Sequence, residues 1–151
     1  MPQPWSALFQ INQNPLMTLN LEGVTQAMAD RAPADGVNSI TWLLRHILAY
    51  RLETLAALDA PSTPPLPEPR TLVDLAAAIG GTQPALARAF DAVADWTVVK
   101  RHPALPSPMP LDQIVGTFLV HDAYHAGQLG MARRLLGLPG AIKGPAERVH
   151  A

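Results

Sequence analysis

Two histidines four residues apart, His121 and His125, are the residues of this sequence best placed to do chemistry. They lie in a segment that we predict to be helical from about residue 110 to 136, and residues at this spacing share one helix face. A third histidine, His46, lies in another amphipathic segment, and a facing helix could bring its ring to the same point. Three neutral imidazoles with open coordination positions are typical of a catalytic metal site.

The histidine pair also has an ordinary interpretation, as two polar residues on a solvated helix face. Its apolar neighbours favour burial instead; they are Leu119, Val120 and Leu129. A buried polar side chain needs a hydrogen-bond partner or a ligand. For His46 alone the alternative is a core histidine bonded to a backbone carbonyl, but the facing pair makes ligation the preferred interpretation.

Three further side chains share these helix faces. Gln128 lies seven residues after His121 and could orient a ligand or bind substrate, or simply join two helices by a hydrogen bond. Glu53 lies seven residues after His46 and could be a carboxylate behind a ligand, a fourth ligand, or a solvated charge. Tyr50, one turn after His46, lines the pocket or fills the core.

Other polar and aromatic residues are expected to have ordinary roles. His102, in a proline-rich loop, and His150, next to the last residue, are expected to be solvated. Asp122 points about 100° away from the preceding histidine, so it is a poor ligand but could serve a different partner. Trp42 is expected to pack. The basic residues at positions 133 and 134 lie near a helix C-terminus, where cations complement the helix dipole.

Composition limits the class of protein. The 151 residues are 48% hydrophobic, enough to bury the core of one domain spanning residues 1–151. A net charge of −1 offers no bulk attraction to nucleic acid or anionic membrane. No apolar run approaches ~18 residues and the start lacks a signal-peptide pattern, so we expect a cytoplasmic protein without a membrane span. Without cysteine, any metal must be held by nitrogen and oxygen.

Apolar periodicity predicts four helical stretches, and there is almost no strand signal. They cover about residues 5–31, 39–58, 71–95 and 110–136. We expect Asn38 or Ser39 to cap the second helix and Thr71, with Asp74 three residues later, to cap the third. Gly137 is a suitable residue to end the fourth.

Prolines and glycines interrupt two of these stretches. Asn14–Pro15 predicts a kink or a restart in the first, because proline lacks the amide donor that a helix interior uses. Gly80, Gly81 and Pro84 are expected to kink or split the third. The resulting fold class is all-α, a four-helix bundle with proline-rich loops. The loop over residues 60–70 is long enough to permit a crossover connection, so a simple up-and-down topology is not required.

Two sequence patterns resemble the DinB/YfiT-like superfamily of helical metalloproteins over most of the chain. They are Asn38-Ser-Ile-Thr-Trp42-Leu-Leu-Arg-His46-Ile and His121-Asp-Ala-Tyr-His125-Ala-Gly127-Gln128-Leu129. The resemblance implies a bundle that is often dimeric, with a divalent metal, commonly nickel or zinc, held by three histidines. Carried over to this sequence, the ligands are His46, His121 and His125. It also implies an unsettled reaction, since characterised relatives include transferases and isomerases that use low-molecular-weight thiols, and many members have no established activity.

The function expected from these patterns is that of a divalent-metal-dependent enzyme acting on a small molecule. Transfer or isomerisation with a thiol cosubstrate is preferred, and metal-assisted hydrolysis competes with it. The alternative from another class is a non-catalytic, stress-associated bundle that binds a metal or dimerises. A homodimer is expected, and nucleic acid is not an expected partner.

Overall fold

The computed structural model describes residues 4–61 and 71–142, and these residues are mostly helical. The elements in chain order are α1 (Trp5–Ile11), a wider irregular turn (Asn12–Met17), α2 (Thr18–Leu21), α3 (Gln26–Asp30), α4 (Ile40–Ala57), α5 (Leu72–Ala92), β1 (Val99–Lys100), β2 (Met109–Pro110) and α6 (Leu111–Leu135). The all-α prediction is confirmed. The two short strands pair antiparallel, with Val99 opposite Pro110, and bring the chain to the start of α6.

The first predicted helix is broken at two places. Asn14 is extended, with φ −135° and ψ 108°, and precedes a cis peptide bond to Pro15, which confirms the expected interruption. A second break was not predicted: α2 ends at Leu21, and Gly23 follows with φ +73°. Glycine adopts this left-handed conformation without a steric penalty, so the chain turns there and α3 forms a separate short helix.

Local signals place the starts of α4 and α5 correctly. The Ser39 hydroxyl accepts a hydrogen bond from the Trp42 amide at 3.2 Å. Thr71 and Asp74 exchange side-chain and backbone hydrogen bonds in a complete capping box. Of the two alternatives expected for α5, a kink or a split, the split was wrong, because one continuous helix runs through Pro84. Burial of this helix against its neighbours compensates for the missing proline donor.

Contacts between α4 and its two neighbours give their relative directions. His46 of α4 contacts His125 of α6, and Tyr50, one turn later, contacts Phe118, so the two helices run antiparallel. In the buried core, Leu43 and Leu75 share one apolar cluster, whereas Leu55 and Leu86 share the next. In both helices the residues of the first cluster precede those of the second in sequence, so α4 and α5 are parallel neighbours. The connection between them is therefore a crossover, as the long loop permitted.

The first helical segment, residues 5–21, runs parallel to α6. Asn12 bonds Asp122, and further along both helices the carbonyl of Asn20 accepts from Arg133. With α4 and α5 running the other way, the bundle is up-down-down-up, and α6 packs between the first segment and α4. Over the described part of the chain, none of the helices combines the length and apolar character needed to cross a bilayer.

Candidate metal centre

Three histidine rings from two helices meet on one side of the bundle. The Nε2 atom of His121 lies 3.0 Å from Nε2 of His46 and 3.0 Å from Nε2 of His125. One ring nitrogen from each histidine falls within 4.8 Å of the other two. The antiparallel packing of α4 and α6 makes this meeting possible, because it brings a single position of α4 opposite two successive turns of α6. The structure therefore brings together the three histidines that the sequence singled out.

The burial of α6 follows a helical period rather than covering the whole helix. Leu129 and Ala126 are buried, but Val120 is 69% exposed, contrary to the expectation that it lies in the core. His125 is buried, and His121 and His46 are half-buried. The histidine cluster thus lies at the boundary between the core and solvent.

The hydrogen bonds around His125 fix its tautomer. Its Nδ1 lies 2.6 Å from the Oε1 atom of Gln128. An amide oxygen only accepts, so Nδ1 donates and the Nε2 atom of His125 presents a lone pair to the cluster. Gln128, predicted to orient a ligand or join two helices, lies one turn away on the same helix and contacts the ring directly.

The N–H groups of the three neutral rings are too few to hydrogen-bond every ring nitrogen of the cluster. His121 Nδ1 is buried and has no hydrogen-bond partner among the described residues. If Nδ1 carries the proton of His121, that donor is unmatched. If Nε2 carries it, one hydrogen serves two facing nitrogens, and at most one of them receives a good hydrogen bond. A cation between the rings would accept the three facing Nε2 lone pairs at once; the proton of His121 would then be on Nδ1, which has no partner among the described residues.

The spacing of the nitrogens also suits one ion. Two imidazole nitrogens bound about 2.0–2.1 Å from a metal, at an angle of roughly 90–110°, are about 2.8–3.4 Å apart. Two of the three separations are 3.0 Å, and the ligand nitrogens of His46 and His125 lie within 4.8 Å of each other. The residues present therefore fit a divalent cation in donor type and in two of their three separations.

Burial favours the neutral form of His121 and His46. It lowers the pKa of His121 to about 4, and the nearby rings of His125 and His46 add to the effect by disfavouring a second positive charge. Burial also lowers the pKa of His46, with a further contribution from His125. Neutral imidazole is the form that binds metals, so these residues do not have to release a proton at neutral pH.

Two aromatic rings of α4 flank the cluster. The ring of Trp42, one turn before His46, stacks on that histidine with 4.6 Å between centroids. The ring of Tyr50, one turn after it, stacks on His121 at 3.7 Å. Trp42 is 44% exposed, so it covers the site from the solvent side rather than packing in the core. Tyr50, expected to line the pocket or to fill the core, lies beside His121 and also packs against the ring of Phe118.

Glu53 does not join the histidines. Its Oε2 atom lies 3.1 Å from Nε2 of His102, and it is absent from the group of converging ligand atoms in the described residues. His102 is buried against the ring of Phe118, so the expectation that it is solvated was wrong. The amide of Ala104 donates to its Nδ1, which leaves Nε2–H to donate to Glu53. The β1–β2 region packs this residue onto α4 and α6; His150 lies outside the described residues.

Sequence reasoning missed a buried ion pair beside the cluster. Arg51 is 0% exposed and forms two hydrogen bonds of 3.0 Å to Asp122, which is 1% exposed. Asp122 does serve a partner other than the histidines, as allowed. The missed signal was positional: Arg51 lies one turn after Ile47 on the apolar stripe of α4, and Asp122 lies one turn after Phe118 on that of α6. Opposite charges on the buried apolar faces of two helices indicate an ion pair between those helices.

The basic residue Arg133 is also buried rather than lying on the surface near the helix end. It donates to the carbonyls of Asn20, Glu22 and Pro139. Its hydrogen bonds therefore join α6 to the chain around the turn at Gly23, a role that the sequence analysis did not predict.

Comparison with known proteins agrees with this architecture. The family model of the DinB superfamily matches residues 10–129. A conserved protein from Enterococcus faecalis, known from a crystal structure, superimposes with a TM-score of 0.71 at 18% identity, covering 90% of this chain and 98% of its own. No curated protein matches at a significant level. Since the family model spans most of the sequence and includes all three histidines, the chain belongs to the DinB superfamily.

Proposed function

We propose that this protein is a divalent-metal-dependent enzyme in which His46, His121 and His125 hold the ion. The observation that carries the proposal is the convergence of three Nε2 atoms, with two separations of 3.0 Å. Three imidazole nitrogens suit nickel and zinc, which we propose as the metals. Burial, which lowers the pKa of His46 and His121, supports binding at neutral pH.

A catalytic role is favoured over a structural one by the number and exposure of the ligands. Structural zinc sites use four protein ligands, whereas catalytic sites keep positions for water or substrate. Within residues 4–61 and 71–142, three histidines form the group, and no carboxylate joins it. Two of the three are half-buried, which supports access of water or substrate to an ion that they would hold.

The proposed chemistry is transfer or isomerisation of a small molecule with a low-molecular-weight thiol. A bound divalent cation would lower the pKa of a thiol or water and supply a nucleophile near neutral pH. Gln128 holds the ring of His125 through Nδ1 and keeps its Nε2 directed at the site. Trp42 and Tyr50 restrict the rings on which they stack and give the substrate two aromatic surfaces.

The proposal includes a cytoplasmic homodimer. Exposed apolar residues on one face of α6 support a contact between two copies; they are Val120, Tyr124, Met131 and Leu135. Light scattering of the purified protein tests this part of the proposal on its own, and a mass of one chain would remove it.

Metal analysis combined with a thiol screen tests the function. Protein stripped with chelator and reloaded with zinc or nickel should hold about one ion per chain and consume thiol in the presence of electrophilic or isomerisable substrates. His125→Ala should lose both properties. His102→Gln is the matched control, since it removes a buried histidine outside the cluster and should keep the metal.

Each outcome of this test points to one function. Metal retained by His125→Ala would overturn the three-histidine assignment. Metal binding with ester or amide hydrolysis, but no thiol consumption, would replace the transferase by a hydrolase. Metal binding without turnover of any substrate class would favour a binding module.

A further inference from the structure

The three-histidine cluster depends on how two helices lie against each other. α4 supplies His46, whereas α6 supplies His121 and His125. One residue of helix rises about 1.5 Å, and metal–ligand distances tolerate changes of only about 0.2 Å. A slide of α4 along α6 by a fraction of one residue would therefore separate the ring nitrogens beyond the reach of a single ion.

Apolar contacts alone specify this arrangement poorly. Leucine and isoleucine side chains repack with small shifts of a helix, and apolar cores accept many combinations of similar volume. The core of this bundle is built from such residues around α4 and α6; they include Leu43, Leu44, Ile47, Ala126 and Leu129. A contact with a defined geometry is therefore needed to select one position of α4 along α6.

The Arg51–Asp122 ion pair has that geometry. Arg51 lies five residues after His46 on α4, and Asp122 directly follows His121 on α6. The Nε and Nη2 atoms donate to the two carboxylate oxygens at 3.0 Å each. Two parallel hydrogen bonds between planar groups fix distance and orientation together.

The other polar contacts of the pair reach the remaining helices. The Nη1 atom of Arg51 donates to Gln13 at 3.0 Å and lies 3.4 Å from the hydroxyl of Thr82, and Nη2 also donates to the carbonyl of Phe9 at 3.1 Å. The side chain of Asn12 donates to the carboxylate from the other side at 3.2 Å. The pair is thus held from the first segment and α5, and both of its charges are enclosed.

We propose that Arg51 and Asp122 are positioning residues for the metal site, a role that rests on the proposed function. A buried ion pair is a weak source of stability, since desolvation of the two charges offsets most of their attraction, and apolar replacements are often as stable. What it provides here is one register of α4 on α6, the register in which the three Nε2 atoms converge.

The test replaces the pair by apolar residues of similar size. The double variant Arg51→Met/Asp122→Leu should keep its helicity but melt at a lower temperature than the wild type, because the carbonyl of Phe9 and the side chain of Asn12 lose their partners. Its affinity for zinc should fall about 10- to 100-fold, the usual cost of removing groups that orient metal ligands. The visible spectrum of the cobalt-substituted protein should change, because it reports the coordination geometry.

A readout without metal separates the proposal from the function. In the metal-free wild type, ring protons of His46 and His121 should show nuclear Overhauser contacts, since their centroids are 4.8 Å apart. The double variant should lose or weaken them. If the wild type binds no metal, the proposed function fails, and these contacts still decide whether the pair sets the register.

Two further variants complete the test. Arg133→Met removes another buried arginine of α6, one bonded to backbone carbonyls, and should lower the melting temperature without changing metal affinity or the cobalt spectrum. Arg51→Lys keeps the charge but not the paired hydrogen bonds, and it decides the question if the double variant does not fold. It should bind zinc at least threefold more weakly than the wild type. Unchanged affinity, spectrum and ring contacts in a folded variant would overturn the proposal.

Discussion

The histidine cluster and the Arg51–Asp122 pair occupy adjacent turns of the same two helices, yet their polar groups are satisfied in opposite ways. The ion pair is charged, enclosed, and bonded by groups from the first segment and α5. In the cluster, burial favours the neutral form of the half-buried His121 and His46, and Nδ1 of His121 has no partner among the described residues. Completed hydrogen bonding indicates a structural role, whereas facing lone pairs without enough protons indicate a place for a ligand.

The first way to break this comparison is to remove one member of the ion pair. Asp122→Ala leaves the guanidinium of Arg51 buried without its carboxylate, and we expect a loss of about 3–5 kcal/mol in unfolding free energy. Urea denaturation followed by circular dichroism measures it. A loss under about 1 kcal/mol would mean that water reaches the arginine and that the pair is not a sealed structural unit.

Removing a histidine should have the opposite effect: metal binding should be lost, whereas the stability of the fold should be retained. His125→Ala should abolish stoichiometric metal binding while leaving the helical signal largely intact, because the apolar core does not depend on the cluster. Circular dichroism melts with and without chelator, together with metal analysis, measure both properties. If ligand loss and chelation each collapse the helical signal at room temperature, the metal is structural and the catalytic interpretation fails.

A smaller effect should come from the residue that orients His125. Gln128→Ala removes the acceptor at 2.6 Å from Nδ1, so the ring can rotate and present the wrong nitrogen. We expect metal affinity to fall about 10- to 100-fold, with the melting temperature nearly unchanged. Gln128→Glu keeps an acceptor and should restore most of the affinity in competition titrations. Equal weakening in both variants would show that the amide acts in another way.

The smallest expected effect is a dependence of stability on pH in the metal-free protein. The pKa of His121 is about 4 when folded and near ~6.5 when unfolded, and that of His46 is also lowered by folding. Between these values the unfolded chain binds more protons, so stability is complete above about pH 6.5 and declines as the pH falls toward about 4. Urea midpoints across this range should fall less in His121→Asn than in the wild type. Parallel curves would show that these rings are not buried as neutral groups.

Short-range signals in the sequence were enough to place the main helices and the ligands on them. Ser39 and Thr71 cap α4 and α5 through hydrogen bonds to amides three residues away, which depend on nothing outside those turns. The spacing of His121 and His125 fixes a shared helix face in the same way. The interruption at Asn14–Pro15 also follows from the chemistry of a single residue.

Long-range packing decided what those signals left open. Pro84 stays inside α5, because burial against neighbouring helices outweighs the low helix propensity of proline. Glu53 could have faced the histidines or solvent, and only the β1–β2 region gives it His102.

The helical class and the shared face of His121 and His125 could be predicted from the sequence, because those properties depend on residues one turn apart. Only the tertiary structure decided that His46 meets the pair and that Arg51 finds Asp122. Both contacts span more than 70 positions of the chain, with |i−j| of 75 and 71. They require α4 and α6 to be antiparallel neighbours, and that choice depends on the burial of the whole core rather than on any local pattern.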